Sequence, residues 1–284
     1  MTYTLLDRPP LYEPVLVSAL SGWVDAAGAG TGAAEHLAAN GEVIATFDGD
    51  MLFDYRSQRP ILDIVDGIMK KTVWPEVTLK HSAVGSRDVL VLSGSEPDLS
   101  WRRFAAAVAE LAEVLGVSQL ITLGSVPAAV PHTLPAPIMA TASGKALLEG
   151  DDRPPDGLLR VPAAAVSIID QSVAASGIPT VGFFVQVPHY VSGNYPSAVL
   201  ALLRRVARQL QVDIPLGSLE EEEITHRRQL DEVIADQPEA QEHVTALEVM
   251  NAQQKSISGE ELASEIERYL RDASPGDKGS RDDP

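Results

Sequence analysis

Two proline–histidine pairs, Pro131-His132 and Pro188-His189, are the sharpest chemical feature of the sequence. A proline fixes the backbone on the approach to each imidazole, which suits a ring held in one place for acid–base chemistry or ligand binding. A histidine in such a loop also serves as a plain hydrogen bonder, so the pairs acquire meaning only with their neighbours. Each follows an apolar run. Two further apolar runs lead into "SGWVDA" (21–26) and "SGSEPDLSW" (93–101), which add aromatic and acidic groups. In a parallel sheet, ligands collect beyond the carboxyl ends of the strands. Parallel strands would therefore bring Gly22, Trp23, Asp25, Glu96, Trp101, His132, His189, Tyr190 and Asn194 to one edge as a candidate ligand-binding cleft.

The chemistry of that cleft stays open. His132, His189 and Glu96 are donor types for a metal, but neither H-x-x-x-H nor facial-triad spacing supports one, and no metal is expected. Ser21 and Ser93 lack the G-x-S-x-G elbow of a hydrolase nucleophile. Trp101 fits the apolar stripe of a helix as well as it fits a pocket wall. Arg102 and Arg103 suit a solvated helix face better than an anion site.

The stretch from Leu16 to Asp50 resembles a dinucleotide fingerprint in its order of parts: an apolar run, Gly28-x-Gly30-x-x-Ala33, a second apolar run, then Asp48. Its spacing argues against one. The fingerprint's first glycine belongs in the tight turn directly after the strand, whereas here Leu20 to Ala27 intervene. Asp25 is expected to cap a helix opening at Ala26, which places three glycines in its first turns. Close approach to a sheet or a neighbouring subunit is the expected return. Neither NAD nor FAD, nor any other cofactor, is expected.

The elements that would position these loops are an alternation of apolar runs and helical patterns. Strands are expected at Val15–Leu20, Val43–Phe47, Val89–Leu92, Leu120–Leu123, Ile138–Thr141 and Val181–Val187. Helices are expected at Ala26–Ala39, Leu99–Leu115, Ser167–Ser176 and Pro196–Leu210. Val77–Lys80 and Val89–Leu92 are expected to pair as antiparallel strands. This alternation predicts an α/β fold with a largely parallel sheet. After Pro215 only helical patterns remain: Leu219 to Ala235, one opened by Pro238, and one with a capping box at Ser258 and Glu261. The domain reading is an α/β core over 1–212, an acidic helical unit over 213–273 and a disordered tail over 274–284.

Charge supports that division. The net charge is −18. Residues 1–212 carry 15 Lys/Arg against 21 Asp/Glu, while 213–284 carry 7 against 19. So acidic a chain is a poor partner for nucleic acid or anionic membrane. Cysteine is absent, which removes disulfides and thiolate chemistry. No apolar run is long enough to span a membrane, and Met1 to Thr4 show no secretory signal, so a cytoplasmic location is expected.

Five motifs, "SGWVDAAGAG", "FDYRSQRP", "SGSEPDLSWRRF", "LGSVPAAVPHTLP" and "VQVPHYVSGNYPSAVLALL", occur in that order between Val15 and Arg205. Together they resemble the proteasome assembly chaperone family, chiefly its bacterial branch. The resemblance implies a three-layer α/β fold like that of purine nucleoside phosphorylases, with an appended C-terminal helical unit. It also implies action by protein contact, as an assembly factor or a ligand-responsive interaction module. The three glycines and the apolar, Pro-rich segment 127–137 suit close subunit contact, so a homo-oligomer is expected, with a trimer favoured slightly by the phosphorylase-like fold. The alternative is a nucleoside phosphorylase-like or hydrolase-like enzyme using a His132/His189 cleft. Two departures bear on any shared pocket, "VPAAAVS" (161–167) in place of a Gly-Pro-Thr-Gly-type turn, and Leu134 where relatives carry Arg. The family's docking tail is hydrophobic–tyrosine–any, whereas this sequence ends Asp282-Asp283-Pro284, so no tail-mediated proteasome docking is expected.

Overall fold

The computed structural model describes residues 2–149, 152 and 154–253. Its centre is an eight-stranded sheet. Four neighbouring strands in the middle run parallel: β7 (Arg87–Ser95), β2 (Val15–Ser21), β8 (Gln119–Ala128) and β10 (Thr180–Pro188). Beyond β7 come β6 (Val77–Val84), β3 (Glu42–Phe47) and β1 (Tyr3–Leu5), each antiparallel to the one before; β9 (Ile138–Ala142) closes the other side antiparallel to β10. β3 thereby shares the direction of the central four. The expected antiparallel pair forms, with register Leu79↔Leu92, and extends to a tight turn at Gly85.

The central strands are apolar on both faces because helices cover both. α3 (Trp101–Val114) and α4 (Ala165–Ala175) pack on one face with Leu16, Leu90, Leu92 and Leu120. α1 (Ala29–Leu37) and α5 (Pro196–Leu210) pack on the other with Val17, Val91, Ile121 and Phe183. The result is three layers, as expected. α5 occupies the predicted interval, with proline in its first turn, where the missing N–H is harmless.

One helix starts later than the sequence pattern suggests. Ala26–Gly28 form a single 3₁₀ turn, and Ala27 and Gly28 are left-handed, at φ 57° and 62°. The α-helix begins at Ala29, so Gly28 sits at its cap and carries no helix-interior cost. Gly30 is the position where glycine is required. A Cβ there would lie 3.1 Å from Leu123 O and from Gly124 Cα of β8, so the helix lies directly on the strand.

Residues 61–73 form an element that apolar alternation does not reveal. β4 (Ile61–Val65) and β5 (Ile68–Val73) pair as a separate antiparallel ribbon, every residue of which is exposed. Asp66 and Gly67 turn it at φ 52° and 75°, the left-handed pair a tight hairpin needs.

By internal packing the chain divides into two units, 1–231 and 232–284. The division falls inside α6 (Leu219–Ala235), which opens with Glu220, Glu221 and Glu222 at its positive dipole end. The acidic composition break at 213 precedes it. In the second unit a helix runs over 238–253, with Val244 and Leu247 buried. The capping box at Ser258 and Glu261, the stripe to Leu270, the tail 274–284 and the C-terminal tripeptide lie outside the described residues. No helix among the described residues is long and apolar enough to cross a membrane.

A buried ion pair fastens the segment after β9 to α5. The Arg205 and Asp152 side chains are 2% and 3% exposed. Nε and Nη2 of Arg205 donate to Oδ1 and Oδ2 of Asp152 at 3.0 and 2.9 Å, and the guanidinium stacks 4.0 Å above the Phe183 ring. Burial opposes ionisation of Asp152, but the Arg205 hydrogen bonds, the Glu149 amide and the charges of Arg205 and Arg208 outweigh it and lower its pKa. The pair therefore contributes stability above the ordinary carboxylate range and loses it as pH falls through the lowered value. Asp152→Ala strands a buried guanidinium and is expected to lower unfolding free energy by about 3 kcal/mol. Adding Arg205→Met should recover part of that loss, with both effects read by urea denaturation.

Candidate functional site

The four central strands deliver their loops to one edge, and the sequence candidates other than Trp101 lie along it in separate groups. Glu96 organises the first. Its Oε2 accepts the Trp23 N–H at 3.0 Å and its Oε1 accepts the Ala165 N–H at 2.7 Å. The second bond serves the first turn of α4, whose N-terminus carries no side-chain cap of its own. Gly22 lies hard against this carboxylate, since a Cβ there would fall 2.4 Å from Oε2. Trp23 is 66% exposed. Trp101 turns away from the edge, donates its ring N–H to Pro97 O and packs on the α3/α4 core.

Asp25 serves α1. Its Oδ1 accepts the Gly30 and Thr31 amides at 2.8 and 3.1 Å, and its Oδ2 accepts the Thr31 hydroxyl. The capping role expected of Asp25 is present, applied to a helix three residues further on. Asn194 is exposed, with its Oδ1 beside Gly28.

The histidines meet around Tyr190. Both rings stand edge-on to it, at centroid distances of 5.8 Å for His132 and 5.5 Å for His189. His132 is 3% exposed. Its backbone N–H donates to the Tyr190 hydroxyl at 2.8 Å, and its Nδ1 shares a second hydrogen bond of 2.8 Å with that hydroxyl. Its Nε2 lies 3.1 Å from Asp231 Oδ1 of α6, within hydrogen-bond distance. Arg227 of the same helix donates to Thr133 O, and Glu223 accepts from Ser197 at 3.1 Å. The helix thus lies over the loop carrying His132, and both ring nitrogens are occupied by partners. His189 is exposed, its Nδ1 3.2 Å from Ala128 O. Among the described residues no group of three or more His, Asp and Glu is arranged to hold a metal.

A cavity of about 520 Å³ lies between α4 and strands β8, β10 and β9. Trp23 is the one sequence candidate in its lining, and most of the wall is apolar: Val24, Met139, Leu159, Val161 and Phe184 among others. Among the described residues of the lining, Asp170 of α4 is the one ionisable side chain. Its Oδ1 accepts the Thr122 hydroxyl at 2.5 Å, and Thr122 shares a 2.8 Å hydrogen bond with Ser18. Thr122 and Ser18 are fully buried in β8 and β2. No cation among the described residues pairs with Asp170. The sequence carries a signal for this acid: with Val166, Ile169 and Val173 it lies on the stripe of α4 that faces the sheet, where an apolar side chain is the default.

Burial in that wall pushes the Asp170 carboxyl up to about 7, against the opposing effect of the Thr122 hydrogen bond. The folded chain therefore holds a proton that the unfolded chain has already released between about pH 4 and 7. Stability must fall as pH rises through that window and level off above it. Wild type minus Asp170→Asn is expected to lose about 1 kcal/mol per pH unit between pH 5 and 7 in urea unfolding. A flat difference would mean that Asp170 titrates as an ordinary surface acid.

Known proteins place this architecture. A model of the PAC2 family matches residues 19–234. A Mycobacterium tuberculosis protein of unknown function shares 38% identity over 90% of this chain and 92% of that one, with a TM-score of 0.83. A proteasome-assembly chaperone homologue from the same organism shares 33% identity over 81% of this chain and 99% of that one, at 0.76. A Pyrococcus furiosus archaeal proteasome activator, at 17% identity over 82% of this chain and 98% of that one with a TM-score of 0.61, shares the fold. Among proteins with curated descriptions none matches. The match covers well over half of the chain and takes in β7, β8, β10 and the loop edge, so the chain belongs to the PAC2 family.

Proposed function

We propose that the chain is a non-enzymatic, assembly-factor-like protein that works by binding other protein chains, and that the β4–β5 ribbon is its arm. The observation that carries this reading is the apolar content of a wholly exposed hairpin. Ile61, Leu62, Ile64, Val65, Ile68, Met69 and Val73 are 43–72% exposed, and Trp74 beside them is 52% exposed. A two-stranded ribbon is marginal alone in water, and contiguous apolar surface of this kind marks interaction sites. That a relative at 33% identity is a proteasome-assembly chaperone homologue supports a protein-binding role.

The partner that fits the arm first is a second copy of the chain. The ribbon carries Asp63 and Asp66 near one strand's end and Lys70 and Lys71 on the other strand, so it is neutral within a protein of charge −18. Two such ribbons can pair acid to base while burying their apolar residues, and the molecule's net repulsion has least purchase there. The enzyme alternative loses its support, because His132 is buried under α6 with both ring nitrogens engaged. The phosphorylase version of it also needs an anion site, and Arg102 and Arg103 are exposed on α3.

Light scattering tests the arm. Wild type is expected at a multiple of the 30.3 kDa chain mass, and the double substitution Ile64→Lys/Ile68→Lys should shift it to the monomer with unchanged far-ultraviolet dichroism. A monomer mass for wild type across micromolar concentrations, or an oligomer unmoved by the substitutions, would overturn the reading.

A further inference from the structure

Asp170 poses a problem that the protein-binding reading does not address. A carboxylate in an apolar wall is costly unless it is paired with a cation and hydrogen-bonded. Here one oxygen has Thr122, and no hydrogen bond among the described residues reaches the other. The residue still has accessible surface, and as a lining residue it presents that surface to the cavity. The space, about 520 Å³, lies in the range of small-molecule pockets. Thr141, Ser143, Ser167, Gln171 and Thr180 add neutral polar groups to an otherwise apolar lining, and none of residues 61–73 contributes to it.

We propose that this cavity binds a small molecule with an apolar body and a protonated amine, and that Asp170 is the counter-charge for the amine. The ammonium supplies the cation that the protein withholds and donates to the free carboxylate oxygen, while the chain or ring displaces water from Val161, Met139 and Phe184. An anionic ligand of the same shape meets Asp170 with no basic residue among the described residues of the wall to compensate. A neutral one gains the apolar contacts without the charge-assisted bond. Trp23, exposed and yet part of the lining, stands at the opening. The inference is independent of the hairpin arm.

Three probes with one body separate the cases: n-octylamine, 1-octanol and octanoate, titrated calorimetrically into the full chain at pH 8. Octylamine is expected to saturate one site about tenfold or more tighter than octanol, the scale of one hydrogen bond to a charged group. Octanoate should bind more weakly than either. Asp170→Asn should bring octylamine down to the level of octanol and leave octanol unchanged. Ala174→Phe, which fills the cavity from α4, should remove both. No saturable octylamine binding to wild type, octanol or octanoate binding as tightly as octylamine, a preference that survives Asp170→Asn, or octylamine binding that survives Ala174→Phe would each overturn the proposal.

Discussion

Glu96 is the joint on which the loop edge depends. One carboxylate satisfies the Trp23 amide of the loop after β2 and the Ala165 amide at the start of α4, while its own backbone N–H donates to Ser21 O. Gln58 donates to its carbonyl, which ties in the segment after α2 (Gly49–Leu52). Parallel strands end in a row of loops, and the backbone groups in those loops have no ladder to use. A side chain reaching two of them fixes the spacing between neighbouring strand ends. It also holds the first turn of α4 at the edge. Asp170 lies five residues beyond Ala165, roughly 7.5 Å along the helix axis, where it meets Thr122.

The polar groups of the molecule divide into those that hold backbone together and those left with capacity to spare. Asp25, Glu96, His132 and Asp152 belong to the first kind, and each has its partners supplied by the chain itself. Asp170 belongs to the second. The hydrophobic surface divides in the same way: four helices cover the central strands on both faces apart from the cavity beside α4, and the β4–β5 ribbon is not covered by anything described. What remains unsatisfied in a folded chain is where function is most economically sought.

Much of this architecture can be read from the sequence. The limits of α5 and α6 follow from proline, apolar period and acidic start, and the central strands from apolar runs between turn residues. The parallel arrangement, and with it the single loop edge, follows from their alternation with helices. The ribbon escapes because both its faces are apolar, so a period of two never shows; the readable signal is Asp66-Gly67 between β-branched residues. The start of α1 escapes because Asp25 does bond helix amides, and nothing local shows that three residues are spent on a left-handed bend first. The burial of His132 escapes for a different reason. It depends on Asp231, 99 positions away, and that pairing has no local pattern. Asp170 is the instructive case, because its neighbours on the stripe advertise an apolar face and its charge contradicts them.

The α6 helix has no buried residue in its length. Leu219 and Leu230 pack partly against the core, and otherwise the stretch 219–231 is held by Arg204–Glu220, Ser197–Glu223, Arg227–Thr133 and His132–Asp231. Contacts of that sort are screened by salt and weakly cooperative with the sheet. The helix is therefore expected to exchange its amides with solvent before the strands beneath it. Were it lifted, His132, which the observed arrangement keeps covered, would be exposed with Tyr190 already beside it.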